Sequence, residues 1–178
     1  MKYCSQCAAP VVFRVPSGDT LKRHVCDVCG EIHYQNPNIV AGCIPEWQGR
    51  ILLCRRAIEP RHGLWTIPAG FMENGETVEQ AAMRETLEEA CANVEISELY
   101  AVYNIPHVNQ VYMIFRAKLL GGEFAPGVES LETVLFEEPD IPWDEMAFPV
   151  VVRSLQRFFA DRPGNRFPPF VDTIVPQH

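Results

Sequence analysis

The sequence has no apolar run of about 18 residues, the length that crosses a bilayer as a helix. Its start, MKYCSQC, also lacks a basic flank followed by an apolar stretch, so we expect neither a membrane span nor a secretion signal. Positive charge is in deficit, because 15 Lys and Arg residues stand against 23 Asp and Glu residues and give a formal net charge of −8. This balance argues against broad nucleic-acid binding, since such binding rests on neutralising phosphates.

Cysteine usage does not fit a disulfide framework. The chain has seven cysteines, an odd number, and four of them form two Cys-x-x-Cys pairs near its start. A reducing, cytoplasmic setting fits this pattern better. Disorder of the whole chain is excluded as well, because 47% of the 178 residues are hydrophobic and 21% are charged.

The pattern along the chain predicts three parts, at residues 1–37, 38–160 and 161–178. The first part has short extended pieces between turns. The middle part alternates strand-like runs such as IVAGCI, ILLCRR, VEISELYAVYNI, QVYMIFRAKL and TVLF with two helices. The last part is rich in proline, which predicts an extended tail that docks on its own domain or reaches a partner subunit. Together these features predict a sheet-rich α/β domain with two main helices.

The two cysteine pairs predict a zinc site. Cys4 and Cys7 are separated from Cys26 and Cys29 by a spacing of 18 residues, which lies in the window for four-cysteine zinc sites. Four thiolates leave no open position on Zn²⁺, so the role of the ion is expected to be structural. The alternative is that one pair is a redox dithiol and the other is incidental.

An acidic segment predicts a helix with a carboxylate face. Thr77 and Gln80 form a capping-box pair, which predicts a helix that begins after Thr77. On this helix Glu85, Glu88 and Glu89 share one face, because they are spaced by three and four residues. The opposite side carries Met83, Leu87 and Ala90.

Three carboxylates on one helix face repel one another. A hard divalent cation such as Mg²⁺ or Mn²⁺ would compensate them, because such ions bind through a few carboxylates together with substrate phosphates. The helix alone also allows the simpler interpretation of a solvated acidic face.

A longer pattern favours the metal interpretation. It consists of a glycine, five residues, a glutamate, seven residues and then Arg-Glu-x-x-Glu-Glu, and it resembles the box of the Nudix hydrolases. The chain departs from that box at Thr86, where the family usually has an aliphatic residue, and at Cys91, where it usually has glycine. We therefore expect Asn93 to take the left-handed cap of the helix. The six matching positions are Gly70, Glu76, Arg84, Glu85, Glu88 and Glu89.

The resemblance implies a fold and a metal site. The fold is a Nudix α/β/α sandwich with a mixed sheet, preceded by a small zinc ribbon. In the family, the glutamates that match Glu85, Glu88 and Glu89 hold the catalytic divalent ions. A backbone carbonyl at the position of Ala69 can complete a site.

The resemblance also implies roles for other polar residues. Arg84 would orient the metal-binding acids, and Glu76 would anchor the preceding loop to the helix. The family often takes its general base from the box or from a later loop acid, which makes Glu129 and Glu132 candidates. Either of these two is equally compatible with an ordinary surface carboxylate.

Further segments resemble the FAD and ADP-ribose pyrophosphatases of plant plastids and their bacterial relatives. These segments are YQNP, GLWTIPAGFMENGE, FAPGVESLE and IPWDEMAF. The resemblance implies cleavage of an ADP-linked nucleotide such as FAD or ADP-ribose to release AMP. NADH is a further candidate, although the run SQPWPFPxS that marks NADH pyrophosphatases is missing.

Two arginines and four aromatic residues are candidates for contacts with the substrate. Arg55 and Arg56 follow a strand and are candidates for binding phosphates, with ordinary surface charge as the alternative. Four aromatic residues are candidates for stacking on a base, although aromatic residues in strands more often belong to the core. They are Trp65, Phe71, Tyr103 and Tyr112.

Rival functions share the same box or the same ribbon. Nucleoside triphosphate sanitation and RNA decapping are both Nudix activities, since substrate choice lies in loops outside the box. A zinc-ribbon regulator that senses a ligand or binds nucleic acid is the rival of another class. Its phosphate footprint would be small, because residues 1–37 hold four basic residues against three acidic ones. We also expect a homodimer, as is frequent among Nudix enzymes that split ADP-linked substrates.

Overall fold

The computed structural model describes residues 1–176, and contacts divide the chain into a unit of Met1–Asn36 and a unit from Pro37 onward. The first unit is a three-stranded antiparallel sheet in the order β1-β2-β3. Its side chains form almost no apolar core, since Val25 and Pro16 are buried together with two cysteines. The strands are β1 (Val11–Arg14), β2 (Arg23–Cys26) and β3 (Ile32–His33).

The second unit is built on an eight-stranded mixed sheet. Its main path runs β10-β5-β4-β9-β8-β11, with β6 paired to β5 and β7 paired to β4. The pairs β4–β9 and β8–β11 are parallel, and the other pairs are antiparallel. The strands are β4 (Asn38–Trp47), β5 (Arg50–Arg56), β6 (Trp65–Thr66), β7 (Ala69–Phe71), β8 (Val94–Ile105), β9 (Gln110–Leu119), β10 (Ser130–Phe136) and β11 (Phe170–Thr173).

Two helices, α1 (Val78–Ala90) and α2 (Pro149–Asp161), contribute to separate hydrophobic clusters of this unit. Alternate residues of β5 join different clusters, because successive side chains of a strand point to opposite faces. Leu52 belongs to the cluster that contains Ala82 of α1, and Leu53 belongs to the cluster that contains Leu155 of α2. This arrangement confirms the predicted Nudix α/β/α sandwich with a mixed sheet.

The start of α1 confirms the predicted capping box. The Gln80 backbone N–H donates to the Thr77 hydroxyl at 3.3 Å, and the Thr77 N–H donates to the Gln80 side chain at 2.8 Å. At the other end, Cys91 adopts φ 46° and its N–H donates to the Leu87 carbonyl at 2.9 Å. The expectation that Asn93 takes the left-handed cap is therefore wrong. The helix ends at Ala90, so the cap falls on Cys91, at a strain of roughly 1–2 kcal/mol for a residue with a Cβ.

Small residues and one glutamate form the buried side of α1. Of the three residues expected opposite the carboxylates, Ala90 is buried, whereas Met83 is 37% exposed and Leu87 is 50% exposed. Thr86 is fully buried, and its hydroxyl donates to the Ala82 carbonyl at 2.8 Å and lies 3.0 Å from the Cys43 sulfur. The buried residues of the helix are Ala81, Ala82, Thr86, Glu89 and Ala90.

The C-terminal segment docks on its own domain. After α2, β11 pairs in parallel with β8 and forms one edge of the sheet. Arg153 of α2 binds Asp172 of this strand at 2.9 Å, and the Phe170 ring packs edge-on against Tyr100 and Tyr103. Of the tail predicted at 161–178, residues 177 and 178 lie outside the described residues. Within residues 1–176, neither helix combines the length and the apolar character that crossing a membrane requires.

Candidate active site

The glutamates of α1 lie against the β7 strand. Glu89 is 7% exposed, and one of its carboxylate oxygens accepts the Ala69 N–H at 3.2 Å. The Glu85 carboxylate lies so close to Gly70 that a Cβ on this residue would overlap it. Any side chain at position 70 would therefore displace Glu85, which explains in physical terms why the box has glycine there.

Arg84 connects the acidic residues to one another. Its Nε and one terminal nitrogen donate to Glu76 at 3.0 and 2.7 Å, and the other terminal nitrogen donates to Glu85 at 2.7 Å and to Glu88 at 3.0 Å. The hydrogen bonds from Arg84 hold the pKa of Glu76 at about 2. Because the guanidinium also donates to the Phe71 carbonyl at 3.0 Å, Arg84 ties the loop before the helix to its acidic face.

Burial raises the pKa of two of the predicted metal ligands. It brings the pKa of Glu89 to about 8, with the neighbouring charges of Glu85 and Glu129 acting in the same direction. The pKa of Glu85 is also raised, chiefly by burial. A carboxylate in the surroundings of Glu89 needs a compensating cation to remain charged near neutral pH. An all-oxygen donor set of this kind fits a hard divalent ion such as Mg²⁺ or Mn²⁺.

This burial predicts a pH-dependent effect of metal. In the protein without divalent ions, the pKa of Glu89 is about 8 when folded, against an ordinary value of 4.5. The folded state therefore holds a proton that the unfolded state has released, and this contribution to stability is lost as pH rises through the folded pKa. We expect the free energy of unfolding in EDTA to fall between about pH 5 and about pH 8, and Mg²⁺ to stabilise more at the higher pH.

Urea unfolding at the two pH values, with EDTA and with Mg²⁺, measures this effect. The Glu89→Gln variant is the control, because it cannot titrate and should lose most of the pH dependence of the Mg²⁺ effect. An equal stabilisation of the unsubstituted protein by Mg²⁺ at both pH values would contradict the prediction.

The structure separates the two candidate bases. Glu132 lies on β10 opposite β5, and its carboxylate is 3.7 Å from the Arg55 guanidinium. Glu129 precedes β10, and its charge contributes to the raised pKa values of Glu85 and Glu89. The charge of Glu129 therefore acts on the glutamates of α1, whereas Glu132 is engaged by an arginine.

In the part of the chain that the structure describes, the two candidate phosphate-binding arginines differ in whether a carboxylate pairs with them. Besides Glu132, Arg55 contacts the Gly63 carbonyl through its Nε at 2.9 Å. Arg56 lies over the Phe148 ring at 5.2 Å, and its charge lowers the pKa of Glu89. Of the two, Arg56 is therefore the arginine whose positive charge acts on the acidic site.

The four aromatic candidates fall into different environments. Trp65 and Tyr103 are buried members of the hydrophobic core, which leaves them little surface for stacking on a base. Phe71 is 51% exposed beside the Gly70 position, and Tyr112 is half-buried on β9. Phe71 and Tyr112 therefore remain the candidates with surface to offer.

The four predicted zinc ligands come together in the first unit. The sulfur of Cys4 lies 3.6 Å from that of Cys29, and the sulfur of Cys7 lies 3.5 Å from that of Cys26. Tetrahedral Zn²⁺ with bonds of about 2.3 Å spaces its sulfur ligands by about 3.8 Å. Within residues 1–176 this is the one group of three or more His, Cys, Asp or Glu residues whose ligand atoms all lie within 4.8 Å.

The thiol pKa values differ among the four predicted ligands: although the Glu31 backbone N–H acts in the opposite direction, the Cys7 side chain and burial raise the pKa of Cys29 to about 12. A hydrogen bond from the Cys29 backbone N–H is the main cause that lowers the pKa of Cys26 to about 7, which favours the thiolate that zinc binds. Burial instead raises the pKa of Cys43 to about 12 and also raises that of Cys54. These two are inert packing residues.

Sequence reasoning missed Ala125 and Gly127, which fix the end of α1. Their backbone N–H groups donate to the carbonyls of Ala90 and Glu89 at 2.9 and 3.0 Å. The last carbonyls of any helix need donors from outside the helix. The sequence therefore indicated that some segment must donate to the end of α1, but it did not indicate which loop does so.

Comparison with known proteins bears on both units. The NUDIX domain family model matches residues 36–154, and the family model described as Nudix N-terminal matches residues 2–35. A solved NUDIX hydrolase from Nitrosomonas europaea is 56% identical with a TM-score of 0.95, over 98% of this chain and 99% of that one.

Two curated relatives carry names that bear on substrate. An ADP-ribose pyrophosphatase from Methanocaldococcus jannaschii is 33% identical over 115 residues, which cover 61% of this chain and 67% of that protein. An NAD-capped RNA hydrolase NudC from Chromobacterium violaceum is 33% identical over 132 residues, which cover 74% of this chain and 48% of that protein. The matched region thus spans about half the length of the latter relative.

Proposed function

Because this chain belongs to the Nudix family and is a diphosphate hydrolase of that family, we propose that it cleaves an ADP-linked nucleotide such as FAD or ADP-ribose, with NADH as a further candidate. Water attacks one phosphorus of the pyrophosphate, the bond from that phosphorus to the bridging oxygen breaks, and AMP is one of the two products. The observation that carries this proposal is the acidic face of α1, where the buried Glu89 lies beside Glu85 and next to Ala69.

We assign roles to the residues of that face. Glu85, Glu88 and Glu89, with the Ala69 carbonyl as a further ligand, would hold Mg²⁺ or Mn²⁺. Such an ion spreads the charge of the pyrophosphate and lowers the pKa of a bound water. Arg84 orients the acids, because its donors are already taken by Glu76, Glu85 and Glu88.

Two further residues complete the proposed site. Glu129 accepts the proton of the attacking water, since its charge acts on two of the metal-binding glutamates and it is not paired with Arg55 as Glu132 is. Arg56 contacts a phosphate of the substrate, because its positive charge acts on Glu89 and, among the described residues, its guanidinium is not paired with a carboxylate as that of Arg55 is. A phosphate and an arginine form short, charge-assisted hydrogen bonds.

The name of one relative supports an ADP-linked substrate, and the name of another relative suggests a different substrate. The relative from Methanocaldococcus jannaschii is named as an ADP-ribose pyrophosphatase, in line with the segments that resemble this subgroup. The name of the Chromobacterium violaceum relative makes NAD-capped RNA the second candidate. An RNA substrate would find little positive charge on the first unit, where four basic residues stand against three acidic ones.

Comparison of kcat/KM across substrates tests the proposal. The panel contains FAD, ADP-ribose, NADH, NAD-capped RNA, dinucleoside polyphosphates and nucleoside triphosphates, each with Mg²⁺ and with Mn²⁺. We expect FAD or ADP-ribose to exceed the nucleoside triphosphates at least about tenfold, a difference of about 1.4 kcal/mol in transition-state binding. The highest kcat/KM for nucleoside triphosphates or for NAD-capped RNA would contradict the proposed substrate class.

We also propose a homodimer in a reducing, cytoplasmic setting. The edge strand β11 leaves one side unpaired and exposes Val171, which is consistent with a partner at that edge. Four of the seven cysteines form one group suited to a metal ion, which is in line with a reducing compartment. A single species of 20.2 kDa in sedimentation at micromolar concentration would contradict the dimer.

A further inference from the structure

The loop before β10 supplies hydrogen-bond donors to the last turn of α1. The Ala125 N–H donates to the Ala90 carbonyl at 2.9 Å, and the Gly127 N–H donates to the Glu89 carbonyl at 3.0 Å. The Leu87 carbonyl already accepts from the Cys91 N–H. Every helix leaves its last carbonyls without hydrogen-bond donors from the helix itself. In α1 this loop supplies donors to two of them, and they lie on the turn that carries Glu88 and Glu89.

Position 127 requires glycine because there is no room for a side chain, and not because of its backbone angles. A Cβ on this residue would overlap the carbonyl oxygen of Glu88 and crowd the carbonyl carbon of Glu89. Its φ lies outside the left-handed region, where glycine is otherwise favoured. The loop backbone therefore lies directly on the backbone of the metal-binding turn, with no side chain between them.

The same loop segment is also held by the first residue of β10 and by the residue that follows β5. The Ser130 N–H donates to the Gly127 carbonyl at 3.1 Å, and the Ala57 N–H donates to the Glu129 carbonyl at 2.8 Å. Val128, which lies between Gly127 and Glu129, is 97% exposed and contributes little packing. The backbone of Glu129 is thus fixed between the end of α1 and the end of the strand that carries Arg56.

We infer that Gly127 is a positioning residue, which sets the place of Glu129 relative to Glu89 through backbone packing on the last turn of α1. The inference rests on the proposed function, in which Glu129 takes the proton of the attacking water. A group that must meet one water molecule needs its position fixed to well under 1 Å. Close backbone contact at Gly127, two residues before Glu129, provides such a fixed point.

The Gly127→Ala substitution tests this role. The added methyl group pushes the loop away from α1, so we expect kcat to fall by roughly 10- to 100-fold, the range seen when supporting residues of a site are changed. KM is expected to stay within about twofold, because the side-chain hydrogen bonds of the α1 glutamates to Arg84 and to the Ala69 N–H do not involve this loop. Gly164→Ala is the matched control, since a Cβ there meets nothing within 4 Å and kcat should not change.

A double-mutant cycle with Glu129→Gln distinguishes positioning from a general structural effect. We expect Glu129→Gln alone to lower kcat by roughly 100-fold or more, as for the loss of a general base. In that background Gly127→Ala should change kcat less than about twofold, because the residue that it positions is already disabled. Full additivity of the two substitutions would overturn the inference.

Mn²⁺ binding, followed by electron paramagnetic resonance, provides a readout independent of turnover. We expect Gly127→Ala to keep the Mn²⁺ affinity of the unsubstituted protein within about twofold. A loss of affinity that matches the loss of kcat would show that Gly127 serves the metal helix instead, and would overturn the inference.

A second variant covers the case in which Gly127→Ala does not fold. Val128→Gly adds no atoms and loosens the chain between Gly127 and Glu129, so it should lower kcat severalfold only while Glu129 is present. Unchanged kcat in this variant would contradict the inference. If Glu129→Gln itself leaves kcat unchanged, the proposed base fails. If only the Gly127 and Val128 variants leave kcat unchanged, the inference fails alone.

Discussion

Replacing Glu89 with Gln is expected to lower kcat by roughly a hundredfold to a thousandfold, the loss seen when one preorganised electrostatic group is removed from a site. The amide keeps the shape of the side chain but cannot supply the charge that a divalent ion needs. Glu89 is the acid of α1 most fully withdrawn from water, so no solvent ligand can readily take its place. Initial rates with ADP-ribose or FAD over a range of Mg²⁺ concentrations measure the effect.

The matched control for this substitution is Glu79→Gln in the first turn of the same helix. Glu79 is exposed and lies away from the acidic face, so its loss should leave kcat within about twofold, as expected for surface changes. The fold should persist in both variants, since burying a neutral amide removes the cost of burying a charge. If Glu89→Gln keeps full kcat at saturating Mg²⁺, the acidic face is a solvated surface and not a metal site.

The sequence allowed prediction of the elements that depend on local chemistry. The capping box needs only Thr77 and Gln80, three positions apart, because both hydrogen bonds are made within one helical turn. The glutamate face is equally local, since the helical repeat alone brings Glu85 and Glu89 to one side. The four-cysteine cluster was predictable in part for the same reason, because each Cys-x-x-Cys pair needs only one tight turn.

Burial along α1 was less predictable, because it depends on how the helix meets the sheet. Apolar Leu87 is half exposed while the charged Glu89 is buried. The hydrophobic pattern of the helix would instead predict a buried Leu87 and an exposed Glu89. Thr86 fits at the fully buried position because its hydroxyl finds the Ala82 carbonyl within the helix, a partner that a hydrophobicity pattern does not reveal.

Long-range contacts could not be derived from spacing at all. Glu129 and Glu132 are three residues apart and alike in charge, yet the charge of Glu129 acts on Glu89 while Glu132 pairs with Arg55. The register of β10 on β5 makes this distinction. The contact of Gly127 with the turn of Glu88 and Glu89 likewise joins segments that are almost 40 residues apart in the sequence.

The second large effect is expected in the first unit, where Cys26→Ser should abolish zinc binding and unfold residues 1–36. Cys26 is fully buried and lies 3.5 Å from the Cys7 sulfur, and a serine hydroxyl does not replace a thiolate as a zinc ligand. Very little apolar surface of this unit is buried without the metal, since Val25 and Pro16 are its buried residues other than cysteines. Zinc binding in comparable small modules contributes about 10–16 kcal/mol to folding, more than such a core can provide.

Zinc content by mass spectrometry and amide hydrogen exchange measure the two halves of this prediction. The unsubstituted protein should bind one zinc ion per chain and protect the amides of β2, whereas Cys26→Ser should retain no zinc and exchange these amides rapidly. The control is Cys91→Ser, because Cys91 is exposed and lies outside the four-cysteine group. Amides of β4 and β9 should stay protected in both variants, since their unit has its own hydrophobic clusters. Retention of one zinc ion with protected β2 amides in Cys26→Ser would mean that the four sulfurs do not form the metal site.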